Sequence, residues 1–298
     1  MAASHLFMVR PAAFGYNTQT AESNAFQTNL NAPLEVIHQK ALEEFDALVR
    51  LLQHNDIRVT VHQDTSPPAR PDAIFPNNWF STHADSSLII YPMQPANRRA
   101  ERTREAIAKI SQVFSVKKTI DLTHYEQQNK FVEGTGSLVF DHLHKIGFAS
   151  LSARTNEQLA REVCSLLGYQ FVAFSSADML GKEVYHTNVV MNVADNLAVV
   201  CLDAITINRD EVELKLRSSN RAVVELTLTQ MQQFAGNMLV VKNLTGKDFL
   251  LMSTTAFQSL MAAQISEIEK HCEILHCEIP IIETLGGGSV RCMLAEIF

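Results

Sequence analysis

Apolar and polar positions along the chain follow two periods. In LEVIHQKALEEFDALVRLLQHN (34–55) the apolar residues recur at helical spacing, which predicts an amphipathic helix ending near Asn55. IRVTVHQ (57–63) switches to alternation with β-branched residues and predicts a strand. SLIIYPM (87–93) predicts another strand, and ANRRAERTREAIAKISQVF (96–114) predicts an amphipathic helix with a charged face. Between residues 137 and 202, SLVFD, KIGFASL, FVAFSS, VVMNVA and LAVVCL are short apolar strands separated by turn signals. NEQLAREVCSLLGY (156–169) and AFQSLMAAQISEIEKHC (256–272) predict helices, the first closed by Gly168 as a C-cap. IPIIET (279–284) predicts the last strand before a run of three glycines.

No Ser/Gly linker or shift in composition divides this alternation, so residues 1–298 predict one α/β domain. Strand count suggests units of about 50–60 residues, although sequence self-similarity is too weak to establish a repeat. Neither a GxGxxG nor a P-loop is present, and the phosphate-binding α/β families lose support. The net charge of -7 and the lack of a Lys/Arg-rich run argue against nucleic acid as partner. Apolar stretches such as LAVVCLDAI (197–205) fall short of the ~18 residues a membrane span needs. The start, MAASHLFMVRPAAF, lacks the apolar core of a signal peptide. Five cysteines at irregular spacing do not suggest disulfides, and they point to a reducing cytoplasm. Cys164 and Cys201 fit apolar core patterns. Cys272 and Cys277 flank His276 without the second ligand pair a zinc site requires, so neither metal nor cofactor is expected.

Four polar stretches interrupt the apolar pattern. FPNNWF (75–80) sets Asn77 and Asn78 between Phe75 and the single tryptophan, and Pro-Asn-Asn is also good turn chemistry. In KFVEGTGSLVFD (130–141), Glu133 precedes Gly134 and Gly136, a setting either for close approach to a ligand or for a hairpin turn. In VYHTNVVMNVAD (184–195), His186 and Asn188 at a strand start would share one face. LGGGSVRCMLAEIF (285–298) delivers Cys292 behind three glycines. A nucleophilic cysteine needs its thiolate, hence a base or cation nearby, and Cys292, His186 and Glu133 can supply nucleophile, acid/base and orienting carboxylate if the fold gathers them.

In this order the four stretches resemble the guanidino-group-modifying enzymes: arginine deiminases, dimethylarginine hydrolases and amidinotransferases. The resemblance covers most of the chain. It implies a pentein fold, five ββαβ-type units around a pseudo-fivefold axis. It also implies Cys292 as nucleophile, His186 as general acid/base and Glu133 as active-site carboxylate. Ser152-Ala153-Arg154-Thr155 matches a family stretch whose arginine holds the substrate α-carboxylate, a role carried to Arg154. By the same resemblance Arg98 or Arg99 in PANRRAE is a second carboxylate contact.

The departures matter as much. Arginine deiminases typically hold the guanidinium with two aspartates, and the matching positions here are Asn78 and Asn188. A buried guanidinium without carboxylate partners costs several kcal/mol. A neutral ureido group offers a carbonyl acceptor and N–H donors that two amides can match. From MVRPAAFGYN through FPNNWFS to RCMLAEIF the chain also resembles the citrulline-utilisation hydrolases of bacteria, a branch of the same superfamily. That resemblance implies L-citrulline and water converted to L-ornithine, carbon dioxide and ammonia, with Phe75 over the planar head group and the order of product release left open. The rival enzyme is an arginine deiminase, dihydrolase or dimethylarginine hydrolase that tolerates both asparagines. A more distant rival is a non-catalytic pentein binding protein. The expected partner is a small amino-acid substrate, without nucleic acid or membrane; a homo-oligomer is left open.

Overall fold

The computed structural model describes residues 2–298 and contains five small sheets that share one pairing pattern. Phe80–Thr82 runs antiparallel to Ser87–Ile90, which runs parallel to Lys118–Asp121. Val139–Asp141, Ile146–Ser150 and Gln170–Ser176 repeat that order, with Ile205–Ile207 added at the edge. Met191–Val193, Leu197–Val200 and Ala222–Glu225 repeat it again, as do Leu239–Lys242, Asp248–Ser253 and Glu273–Cys277. The fifth sheet takes its strands from both ends of the chain. Ala295–Ile297 pairs antiparallel with His5–Arg10, which pairs parallel with Arg58–Gln63. The weak period in the sequence is therefore a real structural repeat.

Parallel neighbours cannot be joined by a tight turn, so each parallel pair is linked by a helical crossover. The longest, Leu34–His54, buries Ile37, Ala41, Phe45, Leu48 and Leu52, the stripe that predicted it. Among the described residues no helix is long and apolar enough to cross a membrane.

Three predicted elements differ. The helix expected over 96–114 is a 3-10 segment, Ala96–Glu101, followed by a helix proper at Arg104–Val113. The break falls where Thr103 caps the second piece through Ala106 N and where the Arg98 side chain turns inward to Glu101. The helix expected over 256–272 is two, Thr254–Ser259 and Ala262–Glu269, capped separately by Ser253 and by the Gln264 side chain on Met261 N. IPIIET is not a strand. Pro280–Gly286 is helical, with Pro280 in its first turn and both Glu44 carboxylate oxygens accepting the Ile281 and Ile282 N–H groups. A short apolar run does not distinguish a buried strand from a buried helix turn, and the remote Glu44 cap decided it.

Phe148 lies fully buried in the largest apolar cluster, with Phe174, Val189 and Val199. Phe148→Ala should lower unfolding free energy by about 3–5 kcal/mol, measured by denaturant titration.

Candidate active site

Ahead of four of the five leading strands the chain makes a single helical turn: Pro76–Asn78, Gly134–Ser137, Thr187–Val190 and Val290–Met293. In the remaining unit a bend takes its place, with Phe234 at φ +60° and Asn237 N bonded to Phe234 O at 2.8 Å. The turn 134–137 packs against 76–78 and 187–190, and 76–78 against 290–293. Two local expectations change here. Glu133 to Gly136 is not a hairpin turn, and His186 and Asn188 do not share a strand face. His186 is extended at φ -138° just before the helical turn that carries Asn188. Close packing of the turns excludes side chains at two positions. A Cβ on Gly134 would stand 2.2 Å from Asn77 O, and Gly134 has φ +48°. A Cβ on Gly136 would stand 2.6 Å from both Asn78 Nδ2 and His186 Nδ1.

Asn78, Arg98, Arg154, His186 and Cys292 border one small cavity, together with Phe75. A wider cavity bounded by His142, Asn192 and Lys242 takes in none of these six, so size alone does not mark the site. Glu133 is completely buried, and its Oε2 lies 2.9 Å from His186 Nε2. Burial opposes its ionisation. Arg154, with Nη1 at 3.6 Å, and the His186 contact outweigh that and bring the carboxyl down to about 2. His186 goes the other way: burial lowers it to about 4 against the pull of Glu133. The pair thus rests as a carboxylate and a neutral imidazole. Nε2 carries the proton toward Glu133, which leaves the lone pair on Nδ1, a buried atom without a hydrogen-bond partner among the described residues.

Cys292 is 3% exposed, and burial raises its thiol above the ordinary value. Its side-chain hydrogen-bonding neighbours among the described residues are two amides, each with both ends in reach: Asn237 with Nδ2 at 3.3 Å and Oδ1 at 3.6 Å, and Asn188 with Nδ2 at 3.7 Å and Oδ1 at 4.0 Å. The turn is fixed from behind by Cys292 N on Ser289 O and by the Ser289 hydroxyl donating to Glu283 at 2.6 Å. Gly288 sits against both Cys292 and the Phe75 ring.

The structure separates Arg98 from Arg99. Arg99 points away, bonding Met93 O, pairing with Glu126 and lying over the Phe131 ring, and it takes no part in the cavity. Arg98 borders the cavity but gives Nε and Nη2 to Glu101 and Nη1 to Asn78 Oδ1 at 2.7 Å. Arg154 bonds the Ser23 hydroxyl and Thr20 O, and lies 5.0 Å over the Tyr185 ring. Two residues escaped the sequence reading. Asp72 borders the cavity with Oδ1 buried and, among the described residues, unpartnered, while Oδ2 accepts from Asn17 and lies 3.7 Å from Arg98 Nε. Asn237 occupies the position in its unit that Asn78 occupies in another, two residues before the leading strand. The repeat was the signal that could have found it.

The fold defines a member of the guanidino-group-modifying superfamily, the penteins that include hydrolases of carbon–nitrogen bonds. Residues 10–298 match the family model described as N,N dimethylarginine dimethylhydrolase, eukaryotic, and the chain belongs to that family. Among solved structures it is similar to apo ArgZ, an arginine dihydrolase from the ornithine–ammonia cycle in cyanobacteria, with TM-score 0.77 and 14% identity over 98% of this chain. This chain spans 40% of that protein's length. Against the N-terminal domain of ArgZ bound to product, TM-score is 0.75 and identity 16%, with 99% of this chain and 97% of that one covered. A cysteine variant of DDAH from Pseudomonas aeruginosa, complexed with citrulline, gives TM-score 0.69 and 14% identity over all of both chains. No curated protein sequence matches the chain.

The lowered His186 value has a consequence for stability. The unfolded histidine, near 6.5, binds a proton more readily than the folded one near 4, so stability falls as pH drops through that window. Glu133 acts with the same sign at lower pH, its contribution fading from about 4.5 toward 2. His186→Gln should flatten the loss between pH 6.5 and 4. His5 and His83, also held near 4 by burial, keep the same sign, while Glu44 and Glu101, raised by burial to about 7, act against it between pH 7 and 4.5, so the effect of His186 is read as the difference between the two curves. Denaturant unfolding across a pH series measures both variants of the curve.

Proposed function

We propose that the chain is a cysteine-dependent hydrolase of L-citrulline, producing L-ornithine, carbon dioxide and ammonia. One observation carries the choice of substrate: Arg98 Nη1 donates to Asn78 Oδ1 at 2.7 Å. A guanidinium cannot donate to an amide nitrogen, so the contact fixes which end of Asn78 is which. With the oxygen occupied, the amide has its NH2 to offer. One hydrogen goes to Asn77 Oδ1 at 3.1 Å, and the other suits a carbonyl. A ureido group has that carbonyl. A guanidinium has only donors and brings a positive charge beside Arg98.

The remaining groups fit an amino acid. The Arg154 guanidinium suits the α-carboxylate, and the free Asp72 Oδ1 suits the α-ammonium. Arg98, spent on Glu101 and Asn78, acts by holding Asn78. Phe75, against Gly286 and Gly288, offers its ring to the planar head group, and Asn188 adds a second amide beside the sulfur.

In this reading His186 Nδ1 accepts the Cys292 proton as the sulfur attacks the ureido carbon. The protonated imidazole then gives that proton to the departing nitrogen, and ornithine leaves. A carbamoyl thioester remains on Cys292. His186 takes a proton from water, hydroxide adds to the thioester, and the thiol is restored as carbamate departs and breaks down to carbon dioxide and ammonia. Charge on the carbonyl oxygen is met by the Asn78 amide. The fold that supports this is one pentein domain, its five sheets set around a pseudo-fivefold axis so that the five turns converge.

The second reading, an arginine or methylarginine hydrolase, is favoured by the family model, whose description names dimethylarginine. Incubation with L-citrulline or L-arginine, followed by amino-acid analysis, separates the two. The expected result is ornithine and ammonia from citrulline alone, none with Cys292→Ser, and a fall of about 10²–10³-fold in kcat with Asn78→Asp. Arginine consumed while citrulline persists would establish the second reading instead.

A further inference from the structure

We propose that Asn237 is a catalytic residue: its side-chain N–H donates to Cys292 Sγ and stabilises the thiolate. The inference rests on Cys292 being the nucleophile, as in the proposed function, and not on which substrate it attacks.

Asn237 is fully buried, and its Nδ2 lies 3.3 Å from Sγ, nearer than Asn188 Nδ2 at 3.7 Å and nearer than its own Oδ1 at 3.6 Å, which can accept from the neutral thiol. The same Nδ2 donates to the Asn188 backbone carbonyl at 3.0 Å. A carbonyl accepts only from the nitrogen end, so this second bond fixes the amide with N–H toward the sulfur. The backbone is built for the approach. A Cβ on Gly236 would stand 2.1 Å from Val189 O, so only glycine lets residue 237 come this close to the turn that carries Asn188. The adjoining bend holds Phe234 at φ +60°. These contacts place one amide of fixed orientation, that of Asn237, beside the sulfur.

The chemistry follows from what the sulfur lacks. A buried thiol resists ionisation, and hydrogen bonds to the anion offset that resistance. Cysteine nucleophiles commonly gain such help from a neighbouring cation or helix terminus. Here His186 is neutral and turned to Glu133 through Nε2. The charge of Arg291 also favours the thiolate, but its guanidinium is bonded to Leu294 O and paired with Glu296. Donation from Asn237 is the strongest hydrogen-bonding influence that favours the thiolate. Being neutral, the amide stabilises the anion without adding charge next to an uncharged ureido group.

The test is the rate of Cys292 alkylation by iodoacetamide against pH, which needs no substrate and stands whether or not citrulline is turned over. The other four cysteines are buried, and the modified site is confirmed by peptide mass. Asn237→Ser should move the alkylation midpoint up by about one pH unit, a tenfold loss of thiolate at neutral pH. Its kcat should fall by a similar factor with KM nearly unchanged, and the deficit should close at alkaline pH. Asn237→Asp, close to the native shape, should move the midpoint further up by setting an anion beside the sulfur. Circular dichroism establishes that each variant is folded, and the aspartate variant alone suffices if the serine variant is not. A midpoint unchanged in a folded variant, or activity lost equally at every pH, would overturn the proposal and leave Asn237 a packing residue.

Discussion

The site depends on one strand pairing that joins the two ends of the chain. Ala295–Ile297 lies antiparallel to His5–Arg10 in fixed register, with Phe7 opposite Ala295. Cys292 sits three residues before that strand, so the register sets where the sulfur arrives. A slip of one residue would exchange the inward and outward faces of the strand. It would also carry the turn 290–293 away from the turn at 76–78, on which it packs. The same geometry governs the other four units. Each presents the turn before its leading strand, and Asn78, Glu133, Asn188, Asn237 and Cys292 all lie in or beside such a turn. Residues separated by more than two hundred positions become neighbours because the repeat brings equivalent positions together.

Within that frame, burial and hydrogen bonding assign the protons. Glu133 and His186 are both buried, and Arg154 tips the pair toward carboxylate and neutral imidazole. Arg98 is a cation held by Glu101, Asn78, Asp72 and the Phe75 carbonyl. Its effect is to turn a neutral amide into a directed donor. Without this arginine Asn78 could present either end to the cavity. Charge in this site mainly orders neutral groups.

Much of this was legible in the sequence, for identifiable reasons. The helix Leu34–His54 has 21 residues and a clear apolar stripe, and local periodicity sufficed. Cys292, His186 and Glu133 stood out because glycine runs and polar residues broke apolar segments. What local pattern could not show was set by distant partners. Glu44 makes Pro280–Gly286 a helix from 237 residues away. The inward pull of Glu101 on Arg98, and not the residue type, separates Arg98 from Arg99. Asn237 sits in an apolar run, FAGNMLVV, and stands out only once the fivefold recurrence of strands is known. Asp72 was missed because an isolated aspartate beside a proline resembles a surface turn; only its burial reveals otherwise.

The most direct test of the account is to catch the covalent intermediate. Protein mixed with L-citrulline is quenched in acid within its first turnovers, digested, and the peptide carrying Cys292 is weighed. The account predicts a carbamoyl group on Cys292 from citrulline, absent with arginine and absent in Cys292→Ser. An adduct derived from arginine, with none from citrulline, would contradict it and make the Arg98–Asn78 contact irrelevant to the choice of substrate.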